Sequence, residues 1–145
     1  MKNTLATIAF VISVTTSYAQ SQVFKTEEGA IRGYDPVAYF KTGKPVVGLK
    51  ENTVKWNEAS WYFSSKENKA LFEKNPEQYA PQYGGYCAYG TAGGYKAPTQ
   101  PDAWSVVDNK LYLNYNKEVQ TDWKKDQAEY IKKADTNWPT VKNSN

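Results

Sequence analysis

The chain has 145 residues, with 18 lysines and arginines against 15 acids and a formal charge of +3. So small and scattered an excess gives no footing for nucleic acid or an anionic membrane. Histidine is absent, Met1 is the only methionine and Cys87 the only cysteine. This excludes a Cys-His dyad, a Ser-His-Asp triad and imidazole-ligated zinc or copper.

Met1-Lys2-Asn3 precedes an apolar run from Leu5 to Val14, and Ser17-Tyr18-Ala19 puts small residues at the −3 and −1 positions of a cut before Gln20. A basic start, a short apolar stretch and a small-x-small exit predict a signal peptide over 1–19, hence export to the periplasm or beyond. The apolar run is about half of the ~20 residues a membrane span needs, so no span is expected in the mature chain. Residues 20–30 are polar and read as a flexible leader. Residues 31–139 then form one domain, large enough to bury a core, and 140–145 a polar tail.

Within that domain, Asp35-Pro36 predicts a short helical turn through Phe40, with Asp35 capping its amides and proline at the first helical position. Lys41–Lys50 reads as loop. Thr53–Trp56 and Ser60–Phe63 are β-prone runs joined by Asn57-Glu58-Ala59, a hairpin. Ser64-Ser65-Lys66-Glu67 is a Ser-x-x-Glu capping box, opening a helix to about Lys74 that Asn75-Pro76 ends. A further short turn begins at Pro76. Tyr83-Gly84-Gly85-Tyr86-Cys87 demands a sharp, close-packed turn, because paired glycines permit positive φ and close backbone approach. Thr91–Pro101 is a loop. Trp104–Val107 and Lys110–Leu113 flank Asp108-Asn109, a second tight hairpin. Asn116 caps a helix carrying Val119, Trp123, Tyr130, Ile131 and Ala134 at helical spacing, with a break near Asp126. Trp138-Pro139 closes the domain. The fold class expected is α+β: a small single domain with two β-hairpins and several helices around an aromatic core.

Three motifs stand together: Gly33-Tyr34-Asp35-Pro36-Val37-Ala38-Tyr39-Phe40; Trp61-Tyr62-Phe63-Ser64-Ser65 through Leu71-Phe72 with Asn75-Pro76-Glu77-Gln78-Tyr79; and Gly84-Gly85-Tyr86-Cys87. Over about residues 31–139 the chain resembles the YHS domain family, most closely its secreted single-domain bacterial members. The resemblance implies a core related to treble-clef metal-binding modules. Metal-binding members carry cysteines in Asp-Pro-Val-Cys and Phe-Cys-Ser-x-x-Cys, and here those positions hold Ala38, Ser64 and Asn68.

Cys87 has two readings. It is a buried small hydrophobe, or it is a functional thiol, either reactive or a ligand for a soft metal ion such as copper. Asp35 is a helix cap or a ligand-binding carboxylate. Tyr83, Tyr86 and Tyr89 fill the core or line a pocket, and the five tryptophans are core or stacking platforms. Gly90-Thr91-Ala92-Gly93-Gly94 lacks the Gly-Lys-Ser/Thr ending of a phosphate loop. The expected role is an exported, non-catalytic binding module for a metal ion or small ligand near Cys87, with Tyr86 and Asp35 as neighbours. A thiol-dependent enzyme or redox protein using Cys87 is the alternative, and a structural or interaction domain with no small-molecule site is the third.

Overall fold

The computed structural model describes residues 11, 12 and 21–145. The segment read as a signal peptide lies outside the described residues, apart from Val11 and Ile12. From Ser21 onward the chain is built into the fold. Strands β1 (Lys25–Thr26) and β2 (Gly29–Ala30) make a third hairpin beside the two expected. Val23 is only 1 % exposed, and Phe24 is buried with it. Val23, Phe24 and Ala30 therefore belong to the core, and the segment that carries them is not a loose leader. The polar letters of this stretch conceal two apolar residues that supply the anchorage.

Ile31–Gly33 forms a left-handed turn, with Ile31 at φ 44° and Arg32 at φ 61°. Helix α1 (Pro36–Lys41) follows, capped by Asp35 with Pro36 at its first position. Strands β3 (Leu49–Trp56) and β4 (Ala59–Phe63) pair antiparallel through Asn57-Glu58, with Trp56 opposite Ala59. Both turn residues have positive φ, 50° and 61°, the geometry whose twist matches that of paired strands. Along β4, Ala59, Trp61 and Phe63 are buried while Ser60 and Tyr62 are half-buried, the alternation of a strand with one face inward.

Helix α2 (Lys66–Lys74) is capped by Ser65, whose hydroxyl accepts from the Asn68 amide at 3.1 Å. The cap thus lies one residue beyond Ser64, which opened the expected capping box, because Ser64 is engaged elsewhere. After Asn75 come α3 (Pro76–Tyr79), a second left-handed turn at Tyr83–Gly85, and α4 (Ala88–Ala92), a helix the sequence reading had as turn and loop. Strands β5 (Trp104–Val107) and β6 (Lys110–Leu113) pair through Asp108-Asn109, again both at positive φ. Helices α5 (Lys117–Lys125) and α6 (Gln127–Val141) break at Asp126, with Asn116 capping the first. Pro139 lies inside α6 rather than closing the domain before a free tail. Val141 is buried, and Lys96 Nζ donates to the carbonyls of Lys142 at 3.1 Å and Ser144 at 2.8 Å. The two ends of the described fold meet where Gln22 Nε2 donates to Asn143 Oδ1 at 3.0 Å.

The described fold is α+β, with six α-helices and three antiparallel two-stranded sheets. Strand β6 joins two cores, because its side chains alternate. Leu111 and Leu113 belong to a cluster with Val23, Val37, Trp61, Phe63 and Phe72. Tyr112 belongs to the other, with Tyr83, Ala88, Trp123 and Ala134. Phe72 is the hub of the first, with ring centroids 5.6 Å from Trp56, 5.4 Å from Trp61 and 5.0 Å from Phe63. Aromatic pairs at such spacing each contribute ~1 kcal/mol beyond their buried area. Among the described residues no helix is long and apolar enough to cross a membrane.

Candidate functional site

Asp35 is fully buried, at 0 % exposure. A buried carboxylate is costly unless its lone pairs are filled, and here they are. Oδ1 accepts from the amides of Val37 at 2.8 Å and Ala38 at 3.2 Å, which caps α1. Oδ2 accepts from the Ser64 amide at 2.8 Å, the Ser64 hydroxyl at 2.7 Å and Asn68 Nδ2 at 2.8 Å. Asp35 therefore ties α1, the end of β4 and α2 together. Its five donors leave no oxygen directed at a ligand.

Cys87 is 2 % exposed and caps the short helix α4. Its Sγ accepts from the amides of Gly90 at 3.5 Å and Tyr115 at 3.3 Å. The thiol also lies 3.5 Å from Asn114 Oδ1, to which it donates. Burial pushes the thiol above its ordinary range, and the amides of Gly90, Tyr115 and Tyr89 only partly oppose that. A neutral, enclosed thiol is a poor nucleophile, since reactivity belongs to the thiolate. Asn114, also buried, accepts the Tyr89 amide at 3.1 Å, and its Nδ2 has no partner among the described residues. Among the described residues no group of three or more Cys, Asp or Glu side chains is arranged to hold a metal ion.

Tyr86 donates its hydroxyl to the Ser21 carbonyl at 2.6 Å, and Lys96 Nζ sits 5.3 Å from its ring centroid. It fastens the amino-terminal segment and lies beside Cys87 in the chain. Asp35 is bound to a different set of elements, and no hydrogen bond among the described residues joins it to Cys87 or Tyr86. The three residues singled out from the sequence are each internal fastenings.

The open geometry lies elsewhere. Tyr83 stands at φ 58°, followed by Gly84 at 64° and Gly85 at 87°. A left-handed backbone costs a residue with a side chain ~1–2 kcal/mol. In exchange, the Tyr83 phenol reaches α6 and donates to Asp135 Oδ1 at 2.8 Å. Burial, then the Asp135 hydrogen bond, raise the Tyr83 pKa far above its ordinary value, so the phenol remains a donor. Tyr83 and Asp135 form one wall of a cleft of about 530 Å³, whose other walls carry Trp56, Trp61, Glu77, Lys110 and Trp138. Trp56 and Trp138 are half-buried, whereas Glu77, Lys110 and Asp135 are exposed.

Comparison with family models, curated proteins and solved structures returns no match. Function therefore has to be argued from the cleft. Sequence reasoning listed the tryptophans and Tyr83 as stacking or pocket candidates but had no means of joining Trp56 on β3 to Trp138 on α6. The one local signal was the Gly84-Gly85 pair, which demanded a special turn at the position that carries Tyr83.

Proposed function

We propose that this chain is an exported, non-catalytic binding domain on a YHS-like scaffold with a treble-clef-like core, and that it binds a small molecule in the cleft between Trp56, Trp138 and Asp135. The observation that carries this reading is the cleft's makeup: about 530 Å³ of space bounded by indole rings and by charges of both signs. Small-molecule sites span roughly 300–1,000 Å³ and combine apolar walls with a few convergent polar groups. Export rests on the basic start, the short apolar run and the Ser17-Tyr18-Ala19 exit.

The family's metal does not fit these residues. A soft ion needs thiolates, and the three positions that carry them in metal-binding members hold Ala38, Ser64 and Asn68. Ser64 and Asn68 instead donate to Asp35. Cys87 brings one thiol that already has three hydrogen-bond neighbours, so copper has no ligand set there. A hydrogen-bonded carboxylate supports the scaffold where sulfur and metal would otherwise do so.

The test is mapping of amide and indole NMR shifts on the mature chain during titration with a library of small polar compounds. Saturable shifts at the Trp56 and Trp138 indoles support the cleft. Shifts centred on Cys87 and Asn114, with the two indoles unmoved, would overturn it in favour of a site at the thiol.

A further inference from the structure

The cleft's chemistry also narrows what enters it, and the following rests on the cleft reading. Glu77 and Asp135 face the same space as Lys110 and Lys142. Two carboxylates and two ammonium groups balance, so the cleft selects neither a net anion nor a net cation. Its apolar lining includes the indoles of Trp56 and Trp138, with Pro81 and Pro139 beside them. Indole side chains among carboxylates and ammonium donors match a ring that is apolar on its faces and hydroxylated around its rim. The indoles take the C–H face, the carboxylates accept hydroxyl protons and the lysines donate to hydroxyl oxygens. Asp135 is prepared for this role. One of its oxygens is held by the Tyr83 hydroxyl at 2.8 Å, and the second has no hydrogen-bond partner among the described residues, so it is available to accept. We infer that the ligand is a neutral saccharide of one or two rings, with Trp56 and Trp138 as its platforms and Asp135 and Glu77 as its hydroxyl acceptors.

The experiment is calorimetric titration of the mature chain with glucose, galactose, N-acetylglucosamine, maltose, cellobiose and chitobiose. Choline and citrate serve as charged probes, and the Trp56 and Trp138 indole shifts are followed in parallel. At least one saccharide is expected to bind saturably, with Kd of about 1 mM or tighter. Asp135→Asn and Glu77→Gln should each weaken it by about tenfold, and Glu77→Gln, at an exposed position, should do so with the melting temperature unchanged. Lys117→Ala, outside the cleft on α5, should leave it unaltered. If choline or citrate moves the two indoles and no saccharide does, the saccharide assignment fails while the cleft stands as a site. If no probe moves them, the saccharide assignment also fails, and the library titration then decides the cleft itself.

Discussion

Gly84 lies beneath the carbonyl of Gln22, so close that a Cβ on Gly84 would overlap the oxygen. The contact continues in the Phe24 amide, which donates to the Gly84 carbonyl at 2.9 Å, and in Gly85, where a Cβ would stand 2.5 Å from Ile31 Cγ2. Two left-handed turns are thereby locked against each other with the amino-terminal segment between them. Gly84→Ala should lower stability by more than ~2 kcal/mol, since backbone must move and φ is positive. Gly43→Ala is the control. Gly43 is also at positive φ, 68°, but has open space around it, and the loss there should be only ~1 kcal/mol. Urea denaturation of the two variants separates steric overlap from conformational cost.

Asp35→Asn should be strongly destabilising. The carboxylate accepts five hydrogen bonds. An amide offers one oxygen and turns its NH2 toward donors, leaving buried groups unpaired at about 1–3 kcal/mol each. A loss of about 3 kcal/mol or more, measured by denaturant midpoint, is the expectation. A variant as stable as the parent would show that the network is not what joins α1 to α2.

Much of the local structure was legible in the residues because its causes are local. Asp35 and Asn116 cap because a short polar side chain precedes a helical run, and Asp108-Asn109 turns because both residues tolerate positive φ. Ser64 was misread for the opposite reason. Its hydroxyl is captured by Asp35, 29 positions away, so the cap passes to Ser65. The buried start of the chain was hidden by its polar letters, since Val23 gains its burial from partners as distant as Leu111. The cleft was illegible altogether. Trp56, Glu77 and Asp135 share it only through the tertiary fold, and no spacing in the chain announces that.

Cys87 should resist iodoacetamide in the native state near neutral pH and react fully once unfolded, because the raised thiol is both enclosed and protonated. Stoichiometric labelling of the native chain without loss of structure would contradict its role as a cap.

Alkaline pH should destabilise the fold. Burial raises the phenols of Tyr39, Tyr83 and Tyr112 above the ordinary value of 10.0, with Tyr112 pushed up to about 12. A group whose folded pKa exceeds its unfolded one contributes stability that is complete below the unfolded value and lost as pH rises through the folded value. Denaturation midpoints should therefore hold near about pH 8 and fall from about pH 10 upward. Phenolate absorbance from these three tyrosines should appear together with unfolding.

Glu58→Gly should stabilise. Glu58 occupies the second position of the β3–β4 turn at φ 61°, and Asn-Gly is the pair that geometry favours. Relief of the left-handed cost should raise stability by about 1 kcal/mol, visible as a higher melting temperature. Lys25 donates to the backbone carbonyl at this position, so that contact survives the change.

The contact between Gln22 and Asn143 joins positions 121 apart, and it sets the two ends of the described fold side by side. A short linker could bridge the two extremities at little entropic expense. The chain could then be reopened in an exposed loop such as the one around Gly43, with every turn, cap and core contact retained. What specifies the architecture is a circular order of segments, and the seam between Gln22 and Asn143 is one of several places where that circle can be cut.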